Sequence, residues 1–290
     1  MISCKLCGGL GNQLFQIFTV ISYALKYSKS FFFLNNYQLG NGDNGSTIRY
    51  TYWKTFLSTL KPFLKNMNEI PELTIVEENS FIYEELPVPD LFEKNGDILL
   101  VGYYQSPLYF DKYKDLICKL IKLDFKKAII RSKVNIDFNN NDIISIHFRL
   151  GDYKNNPNLY PILSENYYSN SISYIVEKLK YDNLKQIYIL YFCEDNDVKD
   201  VKKTIIYLEE QFPLLVFIRA NPLLDDWEQM LLMSLCRHNI IANSTFSWWG
   251  AYLNNNPEKI VCYPEQWFTP QAEMDTSDLF PRDWISIQCN

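Results

Sequence analysis

What most limits the fold of this chain is the rhythm of its second half. Short apolar runs of strand length, IISIHF at 143–148, QIYILYF at 186–192, LLVFI at 214–218, NIIA at 239–242 and KIVCYP at 259–264, alternate with helical patterns. The helical patterns cover 165–181, DVKDVKKTIIYLEEQ at 197–211, DDWEQMLLMSLCRH at 225–238 and STFSWWGAYLN at 244–254. Strands that alternate with helices in this way build βαβ units on a parallel sheet. The first half opens similarly. Residues 2–7 read as a strand, GGLGN as a tight loop, 13–28 as a mostly apolar helix and KSFFFL as the next strand. Residues 36–50 read as loop, 98–104 as strand and about 107–131 as helical material. NIDFNNND, 135–142, is polar and suits a domain boundary. The expectation is an α/β chain with two Rossmann-like halves, 1–137 and 138–290, facing across a cleft. The tail beyond 266 reads as polar and irregular.

With 290 residues, 47% of them hydrophobic, the chain can build a substantial core. A net charge of −6 makes it a poor general binder of nucleic-acid backbone. No signal peptide is expected in MISCKLCGGLGNQ, where a glycine cluster interrupts a short apolar run. No run approaches the ~18 apolar residues of a spanning helix, so the default location is the cytoplasm. Cys4 and Cys7 form a CxxC, but on a strand that spacing puts the thiols on opposite faces, whereas redox pairs sit at a helix start. There is no second CxxC, and His147 and His238 are the only histidines. A protein-only metal site is therefore not expected.

Three stretches carry chemistry. GGLGN has Gly9 and Gly11 where a dinucleotide fingerprint has its first two glycines, but Leu14 stands in the third place. Its glycines still let backbone approach a ligand closely, and Asn12 and Gln13 add amides at a helix start. A tight strand-to-helix turn would need the same residues. HFRLGDY, 147–153, leaves a strand at its carboxyl end, where ligands bind in open α/β sheets. Arg149 offers a forked contact to phosphate. Asp152 can orient that arginine or act as a base, and a surface Arg–Asp pair would look the same. ANSTFSWWG, 242–250, gathers Asn243, Ser244, Thr245 and Ser247 beside Phe246, Trp248 and Trp249. Hydroxyls and helix-start N–H groups suit an anion, and a capped helix with a bulky core behind it suits the same letters. His238 reads as the end of the preceding helix.

GGLGNQLFQ, HFRLGDY and LMSLCRHNIIANSTFSWWGAYLN together resemble the signatures of the bacterial α-1,2-fucosyltransferase family. GYYQSPLYF at 102–110, ENYYSNSISYI at 165–175, YFCED at 191–195 and YPEQWF at 263–268 are smaller echoes in the family's order. The resemblance implies a GT-B fold, with the acceptor on the side of the first domain and the donor on the second. It implies GDP-β-L-fucose as donor, the 2-hydroxyl of a terminal β-galactoside as acceptor, inversion, and no metal or other cofactor. By the same resemblance Arg149 neutralises the leaving diphosphate and His147 lies near the nucleotide. Asn243, Ser244, Thr245, Phe246 and Ser247 wrap the donor, and Gly11, Asn12 and Gln13 face it from the first domain. An acceptor carried on a lipid would bring the chain to the inner face of a membrane. Two positions depart from the pattern. Leu150 replaces the second arginine of HxRRGDY, and Cys193 replaces the serine of FSDD. Transfer to another acceptor or linkage shares all these features, and a non-catalytic glycan-binding module shares the aromatics alone.

Overall fold

A computed structural model describes residues 1–41, 48–92, 96–138, 142–179 and 186–289. The chain divides into two units. The first contains Met1–Lys126 and Asp275–Pro281, the second Lys127–Met274 and Arg282–Asn290.

The first unit opens with strand β1 (Ile2–Cys4) and helix α1 (Leu10–Lys26). Then come β2 (Phe33–Leu34), β3 (Gln38–Asn41), β4 (Ile48–Tyr50), β5 (Leu64–Lys65), β6 (Thr74–Glu77), β7 (Ile98–Val101) and helix α2 (Lys114–Leu120). Its main sheet is parallel, in the order β1-β7-β6. Helix α1 is apolar nearly all round and is buried over nearly its whole length, as such a helix must be. Within it Gln16 is satisfied locally. Gln16 donates to the Gly102 carbonyl at 2.8 Å and accepts from the Cys7 N–H at 3.1 Å.

Three expectations need correction here. The helix begins at Leu10, so Gly11 and Asn12 lie in its first turn and not in the loop before it. The stretch 36–50 is not simply loop, because β3 and β4 pair antiparallel within it; residues 42–47 lie outside the described ones. The change of unit falls at Lys126–Lys127, ahead of the polar run at 135–142, of which 139–141 lie outside the described residues. Helix α3 (Leu123–Lys133) starts in the first unit. Its second half is tied into the other, where Lys127 donates to the Leu253 carbonyl and Lys133 to Glu228. Residues 275–281 rejoin the first unit because Ser106 donates to the Asp278 carbonyl at 2.7 Å and the Asp278 carboxylate accepts from the Tyr83 N–H at 3.1 Å.

In the second unit the order is β8 (Asp142–His147), α4 (Glu165–Lys178), β9 (Ile187–Phe192), α5 (Val198–Gln211), β10 (Val216–Arg219), α6 (Asp226–Met233), β11 (His238–Ile240), α7 (Thr245–Tyr252), β12 (Val261–Pro264) and β13 (Ile285–Ile287). The sheet runs β10-β9-β8-β11-β12-β13 with every pairing parallel. Counted from β8 this is the doubly wound order 3-2-1-4-5-6, whose crossovers diverge between the first and fourth strands, here β8 and β11. The tail is thus not wholly irregular, since Ile285–Ile287 supply the sixth strand. His238 also moves. Helix α6 stops at Met233, and His238 begins β11, accepting from the Ile260 N–H through Nδ1 at 3.0 Å. Asn239 explains the stop. Its amide donates to the Met233 carbonyl at 2.9 Å and to Ser145 Oγ at 2.7 Å, and its own oxygen accepts from Asn254 at 2.8 Å. A carbonyl that a continuing helix would use is satisfied from the strand.

Helices α6 and α7 pack closely because position 250 has no side chain. A Cβ at Gly250 would sit 2.9 Å from Met233 Cβ and 3.0 Å from its sulfur. We expect Gly250→Ala to destabilise the chain by about 2 kcal/mol through overpacking. This should appear as a lower urea midpoint with an unchanged slope.

Candidate active site

The switch point is assembled from the ends of three strands. Strand β8 ends at His147, and Phe148 still donates to the Phe192 carbonyl at 2.8 Å before Arg149 leaves the sheet. Leu150 turns back against the hydrophobic core. Gly151, at φ +21°, takes a backbone shape that favours glycine. Its N–H donates to the Asp197 carboxylate at 2.7 Å. Asp197 is buried and also accepts from Lys154 at 3.0 Å, so its charge is partnered. These contacts pin the turn after β8 to the segment after β9.

Arg149 stands in the middle. Its side chain is 19% exposed. One terminal nitrogen donates to Asp152 at 2.6 Å and the other to Glu194. The guanidinium lies over the Tyr153 ring, 5.1 Å from its centre. Burial works to lower the Arg149 pKa, but Tyr153, Asp152, Glu194 and Asp197 outweigh it and raise it. Tyr153 is itself fixed. Its hydroxyl donates to the Asn243 carbonyl at 2.8 Å, and its ring stacks on Tyr160 at 4.0 Å. One tyrosine therefore links the loop after β8 to the loop after β11 and supplies the surface on which the cation rests.

The residues of ANSTFSWWG divide by role. Asn243 is buried, and its amide donates to the Pro161 carbonyl at 3.0 Å and the Trp267 carbonyl at 3.2 Å. Those donors brace three loops. Ser247 is buried and turns its hydroxyl back to the Ser244 carbonyl at 3.2 Å. Ser244 is the residue before α7, with extended backbone, but its hydroxyl makes no capping bond. Thr245 and Phe246 are half-buried in the first turn of α7, where helix geometry leaves N–H groups without an acceptor inside the helix. The Phe246 ring lies 5.4 Å from that of His147. Trp248 and Trp249 are fully buried. His147 Nδ1, Arg149 Nε and Asn243 Oδ1 are buried without a hydrogen-bond partner. Buried polar atoms are usually paired; these three belong to residues at the carboxyl ends of β8 and β11, and Gln13 Oε1 in α1 and His238 Nε2 in β11 are also without a partner.

Gly11, Asn12 and Gln13 belong to the first unit. Gln13 is buried, and its amide donates to the carbonyls of Gly8 at 3.1 Å and Tyr50 at 2.9 Å, bracing the glycine turn. Asn12 accepts from Gln105 at 3.2 Å. Gly8 has φ +74°, and a Cβ there would strike the Asn12 side chain at 2.4 Å. The residues that the sequence leaves without a role are Glu194, Tyr153, Asp197 and Lys154. Tyr153 and Lys154 sit within or beside HFRLGDY, and Glu194 within YFCED, but nothing in those stretches signals their pairing. Among the described residues no three His, Cys, Asp or Glu side chains group to hold a metal, and no helix is long and apolar enough to cross a membrane.

Residues 92–288 match the family described as glycosyl transferase family 11. The chain is similar to an alpha-1,2-colitosyltransferase of Escherichia coli, 27% identical with 99% of each chain covered. It is similar to a galactoside 2-alpha-L-fucosyltransferase of Caenorhabditis elegans, 24% identical over 96% of this chain and 77% of that one. Among solved structures it resembles a mutant of Arabidopsis thaliana FUT1 in complex with GDP, with a TM-score of 0.50 and 14% identity over 93% of this chain and 72% of that one. That last likeness is one of fold, and the fold is of the GT-B class.

Burial, with the Arg149 charge adding to it, lowers the His147 pKa to about 3; burial, with Arg237 adding, lowers that of His238 to about 4. Both imidazoles are neutral in the folded chain near neutral pH. An unfolded imidazole takes a proton below about pH 6.5, and the folded ones do not until pH 3–4. Stability is therefore unaffected by these groups above about 6.5 and is lost as pH falls below it, by about 1.4 kcal/mol per pH unit for each histidine. With only two histidines, ring NMR is unambiguous. Neither should titrate between pH 8 and pH 5, and a His147 midpoint near 6.5 would contradict the burial argument.

Proposed function

The chain belongs to glycosyl transferase family 11, and from that premise we propose that it is an inverting α-1,2-fucosyltransferase. It moves L-fucose from GDP-β-L-fucose to the 2-hydroxyl of a terminal β-galactoside. The observation that carries the reading is Arg149, a guanidinium held at the switch point of a doubly wound sheet. As the bond to the sugar breaks, negative charge gathers on the diphosphate. A fixed cation and the N–H groups at the start of α7 meet that charge without reorganising. The donor then lies along the carboxyl edge of β8 and β11, with His147 and Phe246 beside it.

Asp152 already accepts from Arg149 at 2.6 Å, so its role in this reading is to orient the cation. Leu150, turned to the core, offers nothing to a phosphate, which leaves Arg149 the forked contact in this stretch. Charge compensation by an arginine makes the reaction independent of metal. A membrane surface enters only through the acceptor, where that sugar is carried on a lipid.

Similarity to a colitosyltransferase favours one further reading. Colitose is the 3-deoxy analogue of L-fucose, so the two donors differ by one hydroxyl. Turnover of GDP-fucose and GDP-colitose against a panel of galactosides distinguishes them. Preference for GDP-fucose by tenfold or more in kcat/KM is the expected result, and GDP release without galactoside dependence would sink the acceptor assignment. Rates after EDTA treatment should match those with added magnesium or manganese.

Replacing Arg149 with Ala should cost roughly 3 kcal/mol of transition-state stabilisation, about a hundredfold in kcat/KM for the donor. Arg149→Lys should recover only part, because an ammonium lacks the planar fork. Circular dichroism should show both variants folded. A folded alanine variant within threefold of wild type would remove Arg149 from the mechanism.

A further inference from the structure

The two carboxylates on Arg149 are not equivalent. Asp152 lies three residues away in the same turn, which the Gly151–Asp197 bond fixes. Glu194 comes from the loop after β9, 45 residues away, and its side chain is 52% exposed. Tyr153 supports the guanidinium from its face and is itself held by Asn243 and Tyr160. Take Glu194 away and the cation keeps its ring and one carboxylate. Take Asp152 or Tyr153 away and it loses the contacts that set its position. Gly151 also makes room for Glu194. A Cβ at 151 would lie 3.1 Å from the Glu194 carboxylate oxygen, closer than nearly all such contacts.

We propose that Glu194 is a displaceable counter-ion that occupies the outer nitrogen of Arg149 until the diphosphate of a nucleotide sugar replaces it, and so sets donor affinity. The proposal rests on the reading of Arg149 as the diphosphate-facing cation. The physical logic is substitution at one donor. A buried guanidinium without a counter-charge is costly, so an empty site keeps one in place. A diphosphate offers the same planar fork more charge than one carboxylate does. An exposed glutamate is quickly released to solvent, whereas a buried one would be stranded. Glu194 is thus a positioning residue with an inverted signature, because removing its charge tightens donor binding where loss of a merely structural contact would loosen it.

The test is calorimetry with GDP on the full chain, on Glu194→Gln and on Asp200→Asn. Asp200 is half-exposed, pairs with Lys154 and makes no contact with Arg149, so its variant makes the same change in net charge. If Glu194 occupies Arg149 in about four molecules of five, freeing it lowers the GDP dissociation constant about fivefold. The expected result is that tightening in Glu194→Gln, with Asp200→Asn within twofold of wild type. Unchanged or weaker binding in Glu194→Gln overturns the proposal, and so does equal tightening in both variants, which would be a general charge effect. Wild type and variants that all fail to bind GDP would remove the donor reading itself and this proposal with it.

Discussion

All six strands described in the second unit run the same way, and that single constraint places the residues of the site. Parallel strands bring their carboxyl ends to one edge, and the crossovers from β8 and β11 part there to opposite faces. His147 and Arg149 come from β8, Glu194 and Asp197 from β9, and Asn243 to Ser247 from β11. β8 pairs with both neighbours, over six residues with β9 and three with β11, so the backbone that delivers Arg149 is central to the sheet. An antiparallel arrangement of the same strands would have sent half of these residues to the opposite edge.

A cation at such a place is held by a surround of three kinds. A carboxylate in its own turn fixes direction, an aromatic face fixes the plane, and a carboxylate from another loop completes the charge. None is isolated. Tyr153 is tied to the Asn243 carbonyl, and the Asn243 amide is tied to Pro161 and Trp267. The polar letters of ANSTFSWWG thus serve partly as bracing. Asn243 and Ser247 spend their donors on the protein's own carbonyls.

The sequence disclosed what is encoded locally. β8, β9, β10, β11 and β12 are legible because short, mostly apolar runs between polar stretches have few other structures open to them. The start of α1 is hidden because Gly11 reads as loop, although a glycine in a buried first turn is tolerated once the helix packs. His238 reads as helix because MLLMSLC carries the apolar pattern past Met233 with only Ser234 between; what ends that helix is the amide of Asn239, oriented in turn by Asn254. β13 has three residues and owes its strand character to pairing with β12. Arg149 could be singled out from its motif, but Glu194 could not be joined to it, because 45 residues of chain separate them. Interactions across that distance leave no trace in spacing or periodicity.

The excursion of residues 275–281 has a consequence for how the chain is made. The polypeptide passes from one unit to the other at 126–127, returns at 274–275 and leaves again at 281–282. A chain emerging amino end first usually folds its leading domain while the rest is still being synthesised. Here the first unit lacks Asp278, with its bonds to Ser106 and Tyr83, until the segment after Met274 has been made, and the second unit lacks its edge strand β13 until Ile285–Ile287 follow. The first unit therefore cannot be completed until most of the second has been synthesised.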